Sequence, residues 1–351
     1  MVKVLIAAGG TAGHVVPALA VADALRADGH DVVFAGGERA EAELVPAAGY
    51  PLRTLRVEGI SRSNPLMAAR AVAKAGAAFF AARKLLQAER PDVVMGGGGY
   101  VAGPVGAAAV LARIPLVLTE ADSHLGLTNR ALARFARRVC LAFPIEGRGG
   151  KRYLVTGRPV PPPVTDRAAA RERFGLAEDD TCVLVFGGSL GARTINEAAI
   201  SAFAGASFHV LHACGSRDYP SLRSRVPSDT YDLREYIIPF GDALAASDLC
   251  VARAGGSIFE IASHGRPAVL VPYPHAAADH QTSNAQWMVR AGAAVVIPDA
   301  ELTAERLARE VGELLGDPGR LRAMGRASAE LARPEAANVI ATELVAAAAQ
   351  R

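Results

Sequence analysis

Short apolar runs and longer mixed stretches alternate along the chain. Runs rich in β-branched residues stand at VKVLIA (2–7), DVVFAG (31–36), DVVMGG (92–97) and PLVLTE (115–120). Unbroken apolar runs of this length predict strands of a parallel sheet covered on both faces. Between them lie alanine-rich stretches such as VVPALAVADALRADG (15–29), which read as helices; Gly29 stands where such a helix ends. The pattern breaks at GRPVPPPVTD (157–166), where Pro159, Pro161, Pro162 and Pro163 crowd together. Proline neither continues a helix nor donates to a sheet, so this segment is a linker. The alternation then restarts with CVLVFGG (182–188), a helix from GARTINEAA, FHVLHACG (208–215), DLCVARAGG (248–256), a helix through SIFEIASHG, PAVLVPYP (267–274) and three closing helices. Repeated β-α order predicts an α/β chain of two Rossmann-like, doubly wound halves with a cleft between them. The expected domains are residues 1–160 and 161–335, with 336–351 as a closing helix that packs back on the first half.

Composition narrows the function classes. A length of 351 residues suits two domains, and 51% hydrophobic against 21% charged residues marks a folded chain, not a disordered one. A net charge of +3 is too small to argue for nucleic acid, and none is expected as a partner. Cys140, Cys182, Cys214 and Cys250 are scattered without a CxxC pair, so they read as reduced core thiols and not as a zinc site. The N-terminus enters a strand at once, with no basic-then-apolar leader pattern, and no run of ~20 apolar residues offers a membrane span.

Chemistry concentrates where strands end. LIAAGGTAGHVVP (5–17) puts Gly9, Gly10 and Gly13 in one turn before a helix, followed by His14. Such a turn cradles an anion on the helix N-terminus, or merely lets a βα turn pack tightly. The order is not G-x-G-x-x-G and no acid ends the second strand, which argues against a dinucleotide. The helix dipole disfavours a proton on His14, which then serves as a base, donates to a ligand, or only caps the turn. FGGSLGAR (186–193) repeats the turn and adds Ser189, without the Lys of a Walker A loop. ARAGGSIFEIASHG (252–265) carries Glu260, placed either to accept from a ribose diol or as a solvated helical acid. PHAAADHQTSNA (274–285) crowds polar groups before a helix, and Gln281 both donates and accepts. His275, Asp279 and His280 have metal-ligand chemistry, but such spacing is common by chance and no metal is expected.

Taken together, these segments resemble the MurG family over nearly the whole chain. The resemblance rests on GGTAGH (9–14), AELVPAAGYPL (42–52), PDVVMGGGGYVAGPVGAAA (91–109), LGLTNR (125–130), GGSLGAR (187–193) and RAGGSIFEIASHGRPAVLVPYPHAAADHQTSNA (253–285). It implies a GT-B fold and an inverting transfer of N-acetylglucosamine from UDP-N-acetylglucosamine to lipid I (undecaprenyl-pyrophosphoryl-MurNAc-pentapeptide), making lipid II for the peptidoglycan on which cell shape and division depend. It further implies a donor-binding C-terminal half, an acceptor- and membrane-facing N-terminal half, no cofactor, and a peripheral location on the cytoplasmic face of the bacterial membrane. By matching position, Thr11, Ala12 and Gly13 line the donor's sugar and phosphate, and Ser189 touches the diphosphate or uridine. Ile237 matches a backbone contact to uracil. Gly256, Ser257, Ile258, Phe259 and Glu260 hold uridine and phosphate, with Glu260 on the ribose, and Gln281 meets the sugar. His14 is the first candidate for the base and Glu120 the second. The chain departs from the family at Thr119, Ala121 and Asp122, which stand in the HEQN run, where Asp122 keeps acceptance but loses an amide donor. Pro161 replaces the arginine of GNPVR, and Ala12 a glycine. These departures keep two alternatives open: a related UDP-sugar glycosyltransferase with another acceptor, and a UDP-sugar epimerase.

The stretch 64–92 reads as one long helix with Arg70, Lys74 and Lys84 on one side and Val72, Phe79 and Leu86 opposite. Its basic face is either simply solvated or meets anionic headgroups, with Leu66, Met67 and Phe80 at the acyl boundary.

Overall fold

The computed structural model describes residues 1–55, 65–188, 191–276 and 279–350, and in 65–75 the backbone alone. The chain divides into two compact units, Met1–Val160 with Arg333–Arg351, and Pro161–Ala332. In the first, the four apolar runs form β1 (Lys3–Ala7), β2 (Asp31–Gly36), β4 (Val93–Gly96) and β5 (Leu116–Glu120). Short strands β3 (Leu52–Thr54), β6 (Arg138–Leu141) and β7 (Tyr153–Val155) extend the sheet. The helices are α1 (Ala12–Ala27), α2 (Ala40–Ala47), α3 (Pro65–Glu89), α4 (Gly99–Leu111), α5 (Leu127–Leu132) and, from the end of the chain, α14 (Ala336–Ala348).

All seven strands pair in parallel, in the order β3-β2-β1-β4-β5-β6-β7. A parallel sheet needs cover on both faces, and the apolar runs supply side chains to each. On one face Leu5, Val33, Val94 and Leu116 pack with Ala82 and Leu86 of α3 and Val101 and Val105 of α4. On the other, Val4, Ile6, Phe34 and Val93 pack with Val15, Val21 and Leu25 of α1 and Ile340 and Leu344 of α14.

The second unit runs α6 (Arg167–Arg173), β8 (Cys182–Phe186), α7 (Arg193–Ala202), β9 (His209–Ala213), α8 (Tyr219–Leu222), β10 (Tyr231–Arg234), α9 (Phe240–Ala246), β11 (Leu249–Ala252), α10 (Ile258–Ser263), β12 (Ala268–Leu270), α11 (His280–Arg290), β13 (Ala294–Val296), α12 (Ala304–Leu315) and α13 (Pro318–Leu331). Its six parallel strands lie in the order β10-β9-β8-β11-β12-β13. In each sheet the winding reverses beside the first strand, between β1 and β4 and between β8 and β11. Crevices in open parallel sheets form at the strand C-termini beside such a reversal. The glycine turns at 9–13 and 253–257 leave strands that flank these two points. All four cysteines are buried and free. Burial pushes the thiols of Cys140, Cys182 and Cys250 up to about 12, which makes them inert.

Candidate functional site

In the first unit, the turn after β1, the turn after β4 and the loop after β5 surround a pocket of about 230 Å³. His14, Glu120 and Asp122 line it together with Gly98 and Asn129. His14 is half-buried, and its Nδ1 lies 3.3 Å from the Thr11 hydroxyl. Its ring rests on Gly98: a Cβ there would sit 2.6 Å from His14 Cδ2, and the φ of +96° also favours glycine. Burial first, and the Arg158 guanidinium second, push His14 below the ordinary histidine range, while Asp122 and Glu41 oppose the shift. The direction is that expected for an imidazole at a helix N-terminus, and Arg158 is anchored there, its Nη2 donating to the Gly13 carbonyl at 2.5 Å. Thr11, Ala12 and Gly13 are exposed at the head of α1, where amide groups lack intrahelical partners.

Glu120 is 8% exposed and organises the loop that follows it. Its carboxylate accepts from the amides of Asp122 at 3.2 Å and Gly126 at 2.8 Å, and from Asn129 Nδ2 at 2.9 Å. Asn129 also donates to the Thr119 carbonyl at 2.9 Å, so it ties the loop to β5. Burial raises the Glu120 pKa above its ordinary value against these three hydrogen bonds.

A second pocket, about 260 Å³, opens at the strand ends of the second unit. Phe186, Ile237, Ile238 and Phe240 give it apolar walls, with Ser257 and Glu260 among its polar groups beside Glu235 and Tyr236. Phe186 and Phe240 meet edge to face at 4.9 Å, and Ile238 stands 88% exposed at the rim. An apolar slot beside a carboxylate and a hydroxyl suits a flat base attached to a diol. Gly256 joins β11 to this region, and the Ser257 hydroxyl makes no capping bond to α10. Ile258 is fully buried and Phe259 packs against Trp287 at 5.2 Å, so these two offer a ligand backbone alone. Gln281 stands beside Gly255, and its Oε1 accepts from the Tyr273 amide at 2.9 Å. Ser189 lies outside the described residues.

Pattern reading missed Glu41, Tyr100, Asn129 and the apolar pair Phe186 and Phe240. Glu41 looks in the sequence like one of several surface acids of a short helix, yet it is fully buried. Its only advance signal is the Gly36–Gly37 pair just before its helix; Gly9 and Gly10 meet it in space alone. Among the described residues no group of three His, Cys, Asp or Glu side chains is arranged to hold a metal ion.

Comparison with known proteins places the chain. Residues 4–141 match the glycosyltransferase family 28 N-terminal domain and residues 182–340 its C-terminal domain. A relative from Moorella thermoacetica is 42% identical over 96% of this chain and 97% of its own length. One from Halorhodospira halophila is 43% identical over 97% of this chain and 96% of its own. Both bear the name UDP-N-acetylglucosamine--N-acetylmuramyl-(pentapeptide) pyrophosphoryl-undecaprenol N-acetylglucosamine transferase. The crystal structure of Acinetobacter baumannii MurG superposes with a TM-score of 0.80 at 31% identity, covering 98% of this chain and 99% of that one. The two parallel Rossmann-like sheets are thus those of the GT-B fold, with one family domain matched to each. On that fold and that near-full-length identity, the chain belongs to the MurG family of glycosyltransferases.

Proposed function

We propose that this chain transfers N-acetylglucosamine from UDP-N-acetylglucosamine to lipid I and so makes lipid II. The observation that carries the reading is the identity of 42% and 43% to transferases of that name along nearly the whole chain. The site chemistry is compatible with it. An acceptor hydroxyl attacks the anomeric carbon from the face opposite UDP; the new carbon–oxygen bond forms as the bond to the diphosphate breaks. The hydroxyl proton goes to a base, and His14, held below the ordinary histidine range, is neutral and ready to take it near pH 7. Glu120 is the second candidate, but its three hydrogen bonds suit it better to holding Asp122 at the pocket wall. In the second unit, Glu260 accepts from the ribose, the backbone at Ile237 meets the uracil, and Gly256 and Ser257 lie toward the phosphates. The same family match assigns Thr11, Ala12, Gly13 and Ser189 to the diphosphate or sugar, and Gln281 to the sugar. Charge growing on the leaving diphosphate is stabilised by such preorganised donors. A lipid-linked acceptor requires work at a membrane surface. The family membership makes that association peripheral in this reading; no helix among the described residues is long and apolar enough to cross a membrane.

The test measures UDP release from UDP-N-acetylglucosamine with and without a soluble lipid I analogue. Release that needs the analogue and adds one N-acetylhexosamine to it supports the reading. Conversion of the donor's sugar to its epimer without an acceptor overturns it in favour of an epimerase, and release without an acceptor, the sugar passing to water, overturns it in favour of a hydrolase.

A further inference from the structure

Glu41 is a carboxylate with no exposed surface, beneath the glycine turn that leads to His14. Its Oε2 accepts from the Gly10 amide at 2.8 Å. Its Oε1 accepts from the Gly37 amide and from the Tyr100 hydroxyl, both at 2.8 Å. These donors come from three separate chain reversals, those after β1, β2 and β4. Among the described residues none of its partners is a cation; Arg39 lies instead over the Tyr100 ring at 5.1 Å. A buried carboxylate without a counter-ion persists only where donors satisfy it. Burial pushes the Glu41 carboxyl up, and its hydrogen bonds, that from Gly10 foremost, outweigh burial and hold it below the ordinary carboxylate value.

The glycines around it are shaped by this contact. A Cβ on Gly9 would lie 2.6 Å from Glu41 Oε1, one on Gly36 2.7 Å from its Cγ, and one on Gly37 2.0 Å from the Tyr100 hydroxyl. The turn after β4 in turn rests on the turn after β1, because a Cβ on Gly99 would lie 1.9 Å from the Gly9 carbonyl oxygen. His14 sits against both turns: its amide donates to the Thr11 carbonyl at 3.0 Å, and its ring rests on Gly98.

We propose that Glu41 is a positioning residue for the transfer reaction, fixing the two turns that hold His14 by binding Gly10, Gly37 and Tyr100 at once. The proposal rests on the transferase reading above. The role needs a carboxylate. A glutamine oxygen accepts from two donors at most, and its amide would point N–H groups at the third.

Glu41→Gln and Tyr100→Phe, each as the full chain, are compared with wild type below the melting temperature of the weakest variant. In Glu41→Gln, kcat at saturating substrates is expected to fall about 10-fold or more, with the donor KM within about 3-fold of wild type. Tyr100→Phe removes one donor of three and is expected to lower kcat less; it also serves if Glu41→Gln does not fold. A second readout needs no turnover: the imidazole titration of His14 followed by NMR. Arg158, Asp122 and Glu41 are the charged groups acting on that ring. Loss of the Glu41 charge withdraws support for the imidazolium, so the midpoint is expected to move to lower pH in Glu41→Gln. A folded Glu41→Gln with wild-type kcat, or with an unmoved His14 midpoint, overturns the proposal. An inactive wild type would remove the transferase reading alone, and the His14 titration would still decide the link to Glu41.

Discussion

His14 and His212 show how far surroundings decide what one side chain does. His14 is half-buried at a pocket, whereas His212 on β9 has no exposed surface. The Tyr231 hydroxyl lies 2.8 Å from His212 Nδ1 and Asn196 Oδ1 lies 3.0 Å from Nε2. Asn196 Oδ1 can only accept, so Nε2 carries the proton and Nδ1 accepts from Tyr231, which makes the ring neutral. Burial lowers the His212 pKa to about 3. In the unfolded chain the ring protonates below its ordinary value of 6.5, while the folded state still excludes the proton. The stability associated with neutral His212 is therefore complete above pH 6.5 and is lost as pH falls from there toward about 3. The expected slope is about 1.4 kcal/mol per pH unit in that window. Urea denaturation at several pH values between 7 and 4 checks it: His212→Gln should show a flatter dependence than wild type. Parallel curves would show that His212 takes up its proton in the folded state as readily as in the unfolded one.

At the scale of elements, α3 combines two faces. Phe79 and Leu86 pack into the core of the first unit, while Phe80 is 62% exposed and Lys84 lies on the solvent side. A groove of about 600 Å³ runs beside α4, lined by Arg83, Gln87, Arg90 and Leu111, the last also 62% exposed. Bare aromatic and aliphatic side chains beside arginines suit an anionic lipid surface, where each nearby cation contributes about 1 kcal/mol. The side chains of Val72, Arg70, Lys74, Leu66 and Met67 lie outside the described residues. The protein is expected to pellet with vesicles containing phosphatidylglycerol at low salt, and far less with phosphatidylcholine vesicles. Replacing Arg70, Lys74 and Lys84 together by glutamine should weaken that binding while the circular dichroism spectrum is kept. Equal pelleting with both vesicle types would reduce α3 to cover for the sheet.

The whole molecule adds a feature that neither unit's local pattern contains. The chain leaves the first unit at Val160 and returns to it at Arg333. There α14 lays Ile340, Ala341, Leu344 and Ala347 against α1, and Arg138 on β6 meets Glu343 at 2.6 Å. Sequence-distant contacts of this kind require most of the chain to be made before the first sheet is fully covered. Leu344 is fully buried, and Leu344→Ala is expected to cost about 2–5 kcal/mol through lost transfer energy and the cavity left behind. Hydrogen exchange should quicken in α1, β1 and β4, the elements under that helix. A change in unfolding midpoint worth less than about half a kcal/mol, typical of surface sites, would remove α14 from the core.

The apolar runs by themselves determined the strands at the centre of each sheet, because a strand covered on both faces must be apolar at every position. The proline cluster at 159–163 marked where the pattern restarts, and the glycine turns marked the strand ends where chemistry gathers. Short strands such as β3, β7 and β13, three residues each, gave no comparable signal. Their order is set by neighbours in the sheet and not by local periodicity. Tertiary structure alone decided the partners of the polar groups. Local pattern left the turn at Gly9 and Gly10 open between cradling an anion and packing tightly; in the structure Gly9 abuts a buried acid from another turn and Gly10 gives it its amide. Glu41 and Glu43 look alike in AEAELVP, yet only Glu41 meets donors from Gly10, Gly37 and Tyr100. A hydrogen-bond network across three chain reversals has no period along the sequence; it exists only once the sheet has brought those reversals to one edge.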